Sequence, residues 1–205
     1  MDIGDCMCIG IDIDDTTFVT VEAMLKYGDI YDLEVVGGKG TNRNLGLITN
    51  RYYLKALYGW DEKTKFEFFD TYYKNILEES YPMENAANVI NWLKEKNNEI
   101  YFITARLQHI QNCDTENITK NSLEKYNIHY DKLIINASDK LKFCLENNIA
   151  IFIEDSFDTC KELEEHGIKT FLMTTKMNEN IDNKNIERVH SWLEVQEKII
   201  DYLNK

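Results

Sequence analysis

Three acidic residues and a threonine follow the first apolar segment of the chain. Residues 7–11 are mostly apolar, and Asp12, Asp14, Asp15 and Thr16 come soon after them. Carboxylates spaced i and i+2 at the end of a strand can divide the work of phosphoryl transfer, because one can attack phosphorus while the other carries a proton. The spacing indicates chemistry on a phosphate ester.

Polar side chains also follow two later apolar segments. Thr104 and Arg106 come after one, Glu154 and Asp155 come after another, and Lys140 opens the stretch that leads into the second. Clustered carboxylates stay ionised only beside a cation, and such oxygen ligands suit Mg²⁺. A hydroxyl and an ammonium group beside that metal are the donors that a phosphoryl group needs. The residues predict a magnesium site that binds a phosphorylated molecule.

Predicted strands and helices alternate along most of the chain, and together they could bring these side chains to one place. The apolar runs predict strands at residues 7–11, 99–103, 132–135, 149–153 and 170–173, and helices are predicted at 84–96, 115–126, 141–147, 158–165 and, after a capping box at Ser191, through residue 203. This alternation predicts an α/β fold with a doubly wound parallel sheet and helices on both faces. Ligands bind at the carboxyl ends of such strands, where the polar side chains fall.

One stretch interrupts the alternation. Residues 17–81 contain no second buried strand and instead carry aromatic-rich helical segments. A stretch of this kind, inserted directly after the first strand, predicts a small helical cap domain at residues 17–81. The α/β core domain would then comprise residues 1–16 and 82–205.

The aromatic residues of the predicted cap suggest a use in substrate binding. Phe66, Phe69 and Tyr73 recur at helical spacing and are predicted to form the core of the cap. Three other rings are candidates for a wall that stacks on a nucleobase, in the order Tyr72, Phe68 and Trp60.

The polar motifs carry a family resemblance. DIDDT at residues 12–16, a strand ending in Thr104, Lys140, and FIEDS at residues 152–156 resemble, in order and placement, the four motifs of the haloacid dehalogenase (HAD) superfamily, over about residues 7–175. The segments YPMENAANVINWLKEKNNEIYFITAR and DKLKFCLENNIAIFIEDS further resemble the 5′(3′)-deoxyribonucleotidase family and its bacterial relatives. The fold implied is a Rossmannoid sheet with a helical cap after the first strand.

The resemblance also implies roles for individual residues. Asp12 matches the nucleophile that forms an aspartyl-phosphate, and Asp14 matches the acid/base that protonates the leaving oxygen and then activates water. Thr104 and Lys140 match the residues that hold the phosphate.

Magnesium would be bound, by the same resemblance, through the Asp12 and Asp155 carboxylates and the Asp14 backbone carbonyl, with Glu154 acting through water. Asp15 stands where many members of the superfamily have glycine. Arg106 differs from the animal nucleotidases and is a candidate for substrate contact or for support of the site.

Several alternatives remain open. The DIDDT run could be an acidic turn that caps a helix, Thr104 could be a helix cap, and Arg106 could pair with an acid on the surface. Lys142 lies close enough to Lys140 in sequence to be the active-site lysine instead.

The leading function is a magnesium-dependent 5′-nucleotidase acting on (deoxy)nucleoside monophosphates. A phosphatase of sugar phosphates or another small phosphorylated metabolite is the first alternative, and a non-enzymatic phospho-acceptor module is the second.

Composition excludes some partners. The chain of 205 residues carries 23 Lys plus Arg against 36 Asp plus Glu, a net charge of −13. This charge opposes binding of a nucleic-acid polymer. No apolar run is long enough to cross a membrane and the N-terminus lacks a basic signal segment, so a cytoplasmic protein is expected. The sequence carries no indication of oligomeric state.

Overall fold

The computed structural model describes residues 6–38, 53–181 and 185–204. Its strands are β1 (Cys8–Ile11), β2 (Phe18–Val19), β3 (Tyr81–Pro82), β4 (Glu99–Ile103), β5 (Lys132–Ile134), β6 (Ile149–Glu154), β7 (Lys169–Met173) and β8 (Glu187–Val189). Six of them form one sheet in the order β5-β4-β1-β6-β7-β8. All neighbours in this sheet are parallel, so β1, β4 and β6 end at the same edge.

Helices connect these strands. They are α1 (Val21–Tyr31), α2 (Tyr53–Tyr58), α3 (Glu62–Glu79), α4 (Ala86–Glu95), α5 (Thr115–Lys125), α6 (Lys140–Glu146), α7 (Phe157–Glu165) and α8 (Trp192–Leu203), with α1 continuing into a π-helical turn at Asp32–Val36. The predicted doubly wound α/β fold is confirmed. Within the described residues, no helix combines the length and apolar character needed to cross a membrane.

The two faces of the sheet are buried by different helices. On β6, Ile151 and Ile153 belong to the apolar cluster that contains α4 and α8, whereas Phe152 belongs to the cluster that contains α6 and α7. Successive side chains of a strand point to opposite faces, so a strand covered on both sides is apolar throughout. This explains why continuous apolar runs identified the central strands.

One strand of the six-stranded sheet and a separate two-stranded ribbon were not predicted. The edge strand β8 (Glu187–Val189) contains two charged residues and has no apolar run. The ribbon of β2 and β3 has two residues in each strand, and its antiparallel pairing joins Phe18 to Pro82 and Val19 to Tyr81. Pairing over so few residues leaves no periodic signal in the sequence.

The ribbon brings together the two ends of the stretch predicted as a cap. Between them, α1, α2 and α3 share an apolar cluster distinct from those of the sheet, with Tyr31, Phe68 and Ile76 among its buried members. Residues 39–52 of this stretch lie outside the described residues. The boundaries of the cap at residues 17–81 stay a prediction.

Gly10 on β1 generates a first testable prediction. A Cβ at this position would overlap the ring of Phe152 on the neighbouring strand. Gly10→Ala should therefore lower the free energy of unfolding by about 1–3 kcal/mol, as overpacking of a core does, measured by urea denaturation. In a Phe152→Leu background the same substitution should cost less, because the ring that it meets is gone. An equal cost in both backgrounds would contradict this explanation.

Candidate active site

The loop that follows β1 is held by several backbone contacts. We call residues 12–17 the β1 loop. The Asp12 N–H donates to the Ile153 carbonyl at 3.0 Å, and Thr17 Oγ1 donates to the Asp12 carbonyl at 2.7 Å. From the distant helix α8, the buried indole of Trp192 donates to the Thr16 carbonyl at 2.9 Å. The backbone that carries the first acids is thus fixed by β6, by its own threonine and by α8.

Asp15 has a structural role in this loop. Its φ of 56° lies in the left-handed region, which explains why glycine suits this position in similar motifs. Its carboxylate accepts hydrogen bonds from the Thr20 and Val21 N–H groups, at 3.0 and 2.9 Å, where α1 begins. Burial raises the pKa of Asp15 to about 6, although these backbone donors act to lower it. The alternative that the DIDDT run caps a helix therefore holds for Asp15, which caps α1.

A buried lysine links two of the predicted acids. Lys140, the first residue of α6, donates to Asp12 Oδ1 and to Glu154 Oε2, each at 2.5 Å. Burial acts to lower the pKa of Lys140, but the two carboxylates raise it, so the ammonium keeps its proton. Lys142 instead faces solvent, with its side chain 60% exposed and its nearest acid at 4.0 Å. Of the two candidate lysines, Lys140 is the one at the acids.

Glu154 uses both of its carboxylate oxygens within the protein. Oε1 accepts the N–H groups of Asp155 and Ser156, each at 3.1 Å, while Oε2 is held by Lys140. Oxygens of Asp12, Glu154 and Asp155 lie within 4.8 Å of one another. Burial, with the charges of Glu154 and Asp12, raises the pKa of Asp155 well above its usual range. This cluster therefore attracts either protons or a cation.

Arg106 pairs with Asp14. Its Nε lies 3.1 and 3.0 Å from the two carboxylate oxygens, and its Nη2 lies 2.8 Å from Oδ1. The Arg106 side chain is 1% exposed and the Asp14 side chain is 33% exposed, so the alternative of an arginine paired on the surface does not hold. Burial acts to raise the pKa of Asp14, but the guanidinium lowers it below its usual range.

Thr104 lies at the end of β4, beside these groups. Its N–H donates to the Ile134 carbonyl at 3.0 Å, and its own carbonyl accepts the Ala137 N–H at 2.9 Å. Its Oγ1 accepts the Arg106 N–H at 3.2 Å, and the residue is 1% exposed. The helix that follows begins only at Thr115, so Thr104 is not a helix cap.

The structure brings the predicted polar residues to one edge of the sheet. The acids there are Asp12, Asp14, Asp15, Glu154 and Asp155, and the cations are Lys140 and Arg106. Five carboxyl groups against two cations would carry excess negative charge in a largely buried space when all five are ionised. Oxygen donors with unbalanced charge fit a hard divalent cation such as Mg²⁺.

The expectation for the aromatic wall is wrong at two positions. Phe68 is 0% exposed and Trp60 is 4% exposed, and both belong to the apolar cluster shared by α1, α2 and α3. The Trp60 indole donates to Asp32 Oδ1 at 2.9 Å. Tyr72 is half-buried and stacks on Tyr27 with ring centroids 4.9 Å apart.

Packing of α3 on two sides explains this error. One side, with Phe68 and Ile76, meets α1, while the other, with Tyr73 and Leu77, meets the loop before α5. Phe66, predicted as core, is 52% exposed. A single stripe at helical spacing therefore described only part of the buried surface of this helix.

Three hydroxyl residues of the site were not predicted. Thr20 Oγ1 donates to Asp14 Oδ1 at 2.7 Å, and Thr119 Oγ1 accepts from Arg106 Nη1 at 2.9 Å. The Tyr73 hydroxyl accepts the Leu107 N–H at 2.9 Å, next to Arg106. Thr119 and Tyr73 lie inside helices, where their sequence pattern indicates only packing.

The acidic cluster generates a prediction about stability. Because the pKa of Asp155 is raised above its usual 3.8 in the folded protein, the native state holds more protons than the unfolded state at higher pH. The free energy of unfolding then falls as pH rises above that value. In the presence of a chelator, Asp155→Asn should be more stable than wild type at about pH 7.5, with the difference shrinking towards about pH 4.

A matched control is available three positions along the chain. Asp158 is an exposed acid, and Asp158→Asn should show no such pH-dependent gain. Chemical denaturation of the three proteins across this pH range measures the effect. A lower stability of Asp155→Asn than of wild type throughout the range would contradict the charge argument.

Known proteins resemble this chain in sequence and in structure. No family model matches the sequence. A nucleotidase of Clostridium acetobutylicum is 32% identical over 146 residues, which cover 71% of this chain and 73% of that relative.

Two solved structures share the fold. A predicted phosphatase from Clostridium acetobutylicum has a TM-score of 0.71 at 17% identity and covers 97% of this chain and 100% of its own. A haloacid dehalogenase-like hydrolase from Streptococcus pneumoniae has a TM-score of 0.70 at 14% identity, covering 95% and 98%. With the sequence relative, these likenesses bear out the motif resemblance. The chain belongs to the haloacid dehalogenase superfamily, among its nucleotidase-like phosphoric monoester hydrolases.

Proposed function

We propose that this protein is a magnesium-dependent phosphomonoesterase that works through an aspartyl-phosphate and hydrolyses (deoxy)nucleoside monophosphates. The observation that carries the proposal is the buried contact of Lys140 with Asp12 and Glu154 at the end of β1, with Asp14 two positions further along. The nucleotide as substrate is supported by the name of the clostridial relative. Because the family is enzymatic, the phospho-acceptor alternative is not retained.

In the first step, an Asp12 carboxylate oxygen attacks phosphorus and the bond from phosphorus to the ester oxygen breaks. Lys140 neutralises charge on Asp12 and on the phosphate, and the Thr104 hydroxyl, which accepts from the Arg106 N–H, can donate its own hydrogen to a phosphate oxygen. Asp14 gives the proton that the leaving oxygen needs. Arg106 keeps the resting Asp14 ionised, so the proton must reach it when substrate binds, and a phosphate monoester with a second pKa of about 6 can bring one.

In the second step, water attacks the phosphorus of the aspartyl-phosphate. Asp14 takes a proton from this water, the bond from phosphorus to the Asp12 oxygen breaks, and inorganic phosphate leaves. The anionic form of Asp14, which its contact with Arg106 favours, is the form that this step requires. Asp12 returns as a carboxylate next to Lys140.

The residues fit a magnesium ion. The Asp12 and Asp155 carboxylates and the Asp14 carbonyl would hold it, and among the described residues no hydrogen-bond donor contacts that carbonyl. Glu154, whose oxygens accept from Lys140 and two backbone N–H groups, would support the ligands from behind. When bound, the ion supplies positive charge that offsets the carboxylates and the phosphate.

Substrate choice would belong to the helical cap, proposed at residues 17–81 over a core of residues 1–16 and 82–205. Tyr72 is the remaining candidate of the three rings, because it is half-exposed whereas Phe68 and Trp60 are buried. This loss of aromatic surface favours a second candidate, in which the same chemistry acts on a sugar phosphate or another small phosphorylated metabolite.

Substitution of the nucleophile tests the covalent step. Asp12→Asn should lower turnover by several orders of magnitude and abolish the phosphorylated enzyme that acid quenching and intact-mass analysis should detect in wild type. Asp14→Asn should slow both the formation and the hydrolysis of that intermediate, because the leaving oxygen and the water use the same proton carrier. Near-normal turnover by freshly purified Asp12→Asn protein would refute the mechanism.

A phosphate-release screen tests the substrate and the metal together. Nucleoside monophosphates, deoxynucleotides, sugar phosphates and amino-alcohol phosphates are compared with Mg²⁺ and with chelator. We expect nucleotides to have the highest kcat/KM, and chelation to abolish activity. If another class exceeds every nucleotide by about tenfold, which is about 1.4 kcal/mol, the nucleotidase assignment is wrong while the phosphatase assignment stands. Full activity in the presence of chelator would contradict the proposed dependence on magnesium.

A further inference from the structure

We infer that Arg106, anchored by Thr119, is a positioning residue that fixes which oxygen of Asp14 exchanges the proton. The inference rests on the proposed acid/base role of Asp14. It replaces the expectation that Arg106 contacts substrate, because the described contacts of its guanidinium are directed at Asp14 and at α5.

The two oxygens of Asp14 are held unequally. Oδ1 accepts from Arg106 Nη2 at 2.8 Å, from Arg106 Nε at 3.1 Å and from Thr20 Oγ1 at 2.7 Å. Oδ2 accepts only from the shared Arg106 Nε, at 3.0 Å, among the contacts of the described residues. The Asp14 side chain is 33% exposed, so the less occupied oxygen belongs to a group that solvent and substrate can reach. The contacts therefore reserve Oδ2 for proton exchange.

Arg106 is itself fixed at both ends. Its Nη1 donates to Thr119 Oγ1 at 2.9 Å, and this hydroxyl in turn donates to the Thr115 carbonyl one turn earlier in α5, at 2.7 Å. Its backbone N–H donates to Thr104 Oγ1 at 3.2 Å, and its carbonyl accepts the Asn136 N–H at 3.1 Å. A long side chain with many rotamers is thereby confined to one geometry.

The geometry requires a guanidinium. Nε and Nη2 reach Asp14 from one side of the planar group while Nη1 reaches Thr119 from another. A lysine ammonium is a single point of charge on a flexible stem and cannot span both partners in this fixed way. The charge of Arg106 and its shape are therefore separable, and a lysine variant keeps only the charge.

Leaving-group dependence gives a readout that a merely structural role would not move. An alkyl phosphate needs a proton on its leaving oxygen, whereas p-nitrophenyl phosphate releases a stable phenolate. The value of kcat/KM reports all steps from substrate binding up to and including departure of the leaving group, so it is sensitive to protonation of that group. Thr119→Val should lower kcat/KM for the alkyl ester by about fivefold to tenfold, a part of what general acid catalysis contributes, and change the p-nitrophenyl value less than about twofold. The alkyl ester is the monophosphate that wild type hydrolyses fastest.

Two further variants complete the experiment. Arg106→Lys should lower the alkyl-to-aryl ratio more than Thr119→Val does, and Thr119→Val should add nothing in the Arg106→Lys background, because it acts through the guanidinium. Thr170→Val is the matched control: Thr170 is equally buried, and its hydroxyl bonds Glu164 at 3.0 Å away from the site. This control should change thermal stability without changing the ratio.

The outcomes separate this inference from the proposed function. An unchanged ratio in both Thr119→Val and Arg106→Lys, equal losses on both esters, or an undiminished effect of Thr119→Val in the Arg106→Lys protein would each overturn the positioning role while leaving the phosphatase intact. Absence of phosphate release by wild type from every ester, with Mg²⁺ present, would instead overturn the proposed function.

Discussion

Shared use of one ammonium group by two buried carboxylates is the interaction on which the rest of the site depends. Lys140 contacts Asp12 and Glu154 at once, and Asp155 adds a further acid nearby. Taking such charges out of water is costly unless they are paired and hydrogen-bonded. The acidic groups outnumber the cations at this edge of the sheet. The folded site therefore favours binding of further positive charge, either a metal ion or protons. Under the proposed function, the same imbalance would weaken the metal-free fold and favour binding of the metal.

A rigid frame is needed to hold like charges this close. Glu154 is the last residue of β6 and Asp12 directly follows the adjacent β1, so the parallel register of these two strands sets the separation of the two acids. Glu154 is also locked by the N–H groups of the turn that follows it, and Trp192 braces the β1 loop from α8. The last helix of the chain thus supports the first motif. Destabilising contacts at the edge of the sheet are offset by apolar burial on both of its faces.

The sequence predicted those features of the fold and the site that several neighbouring residues indicate together, and it missed those that depend on one contact. The central strands are buried on both faces, so each of them gave a continuous apolar run, whereas β8, with Glu187 and Arg188, gave none. Asp12, Thr104 and Asp155 could be selected because they follow strands, and Lys140 because it opens the helix before β6; all four match motifs of the superfamily. Thr119 was missed because it meets the site only through the side chain of Arg106, a contact that no local pattern encodes.

Burial of α3 on two sides also links α1 to the loop that carries Arg106. The second buried side of α3, with Tyr73 and Leu77, packs on Leu107 and its neighbours, and the Tyr73 hydroxyl accepts the Leu107 N–H. Leu107 directly follows Arg106, whose guanidinium holds Asp14. A shift of α3 on its partner loop would therefore move Arg106 and, with it, the proposed acid/base Asp14. Under the proposed function, in which the cap recognises substrate and Asp14 carries the proton, the packing of α3 would couple the two, and a change in that packing would alter rate as well as affinity.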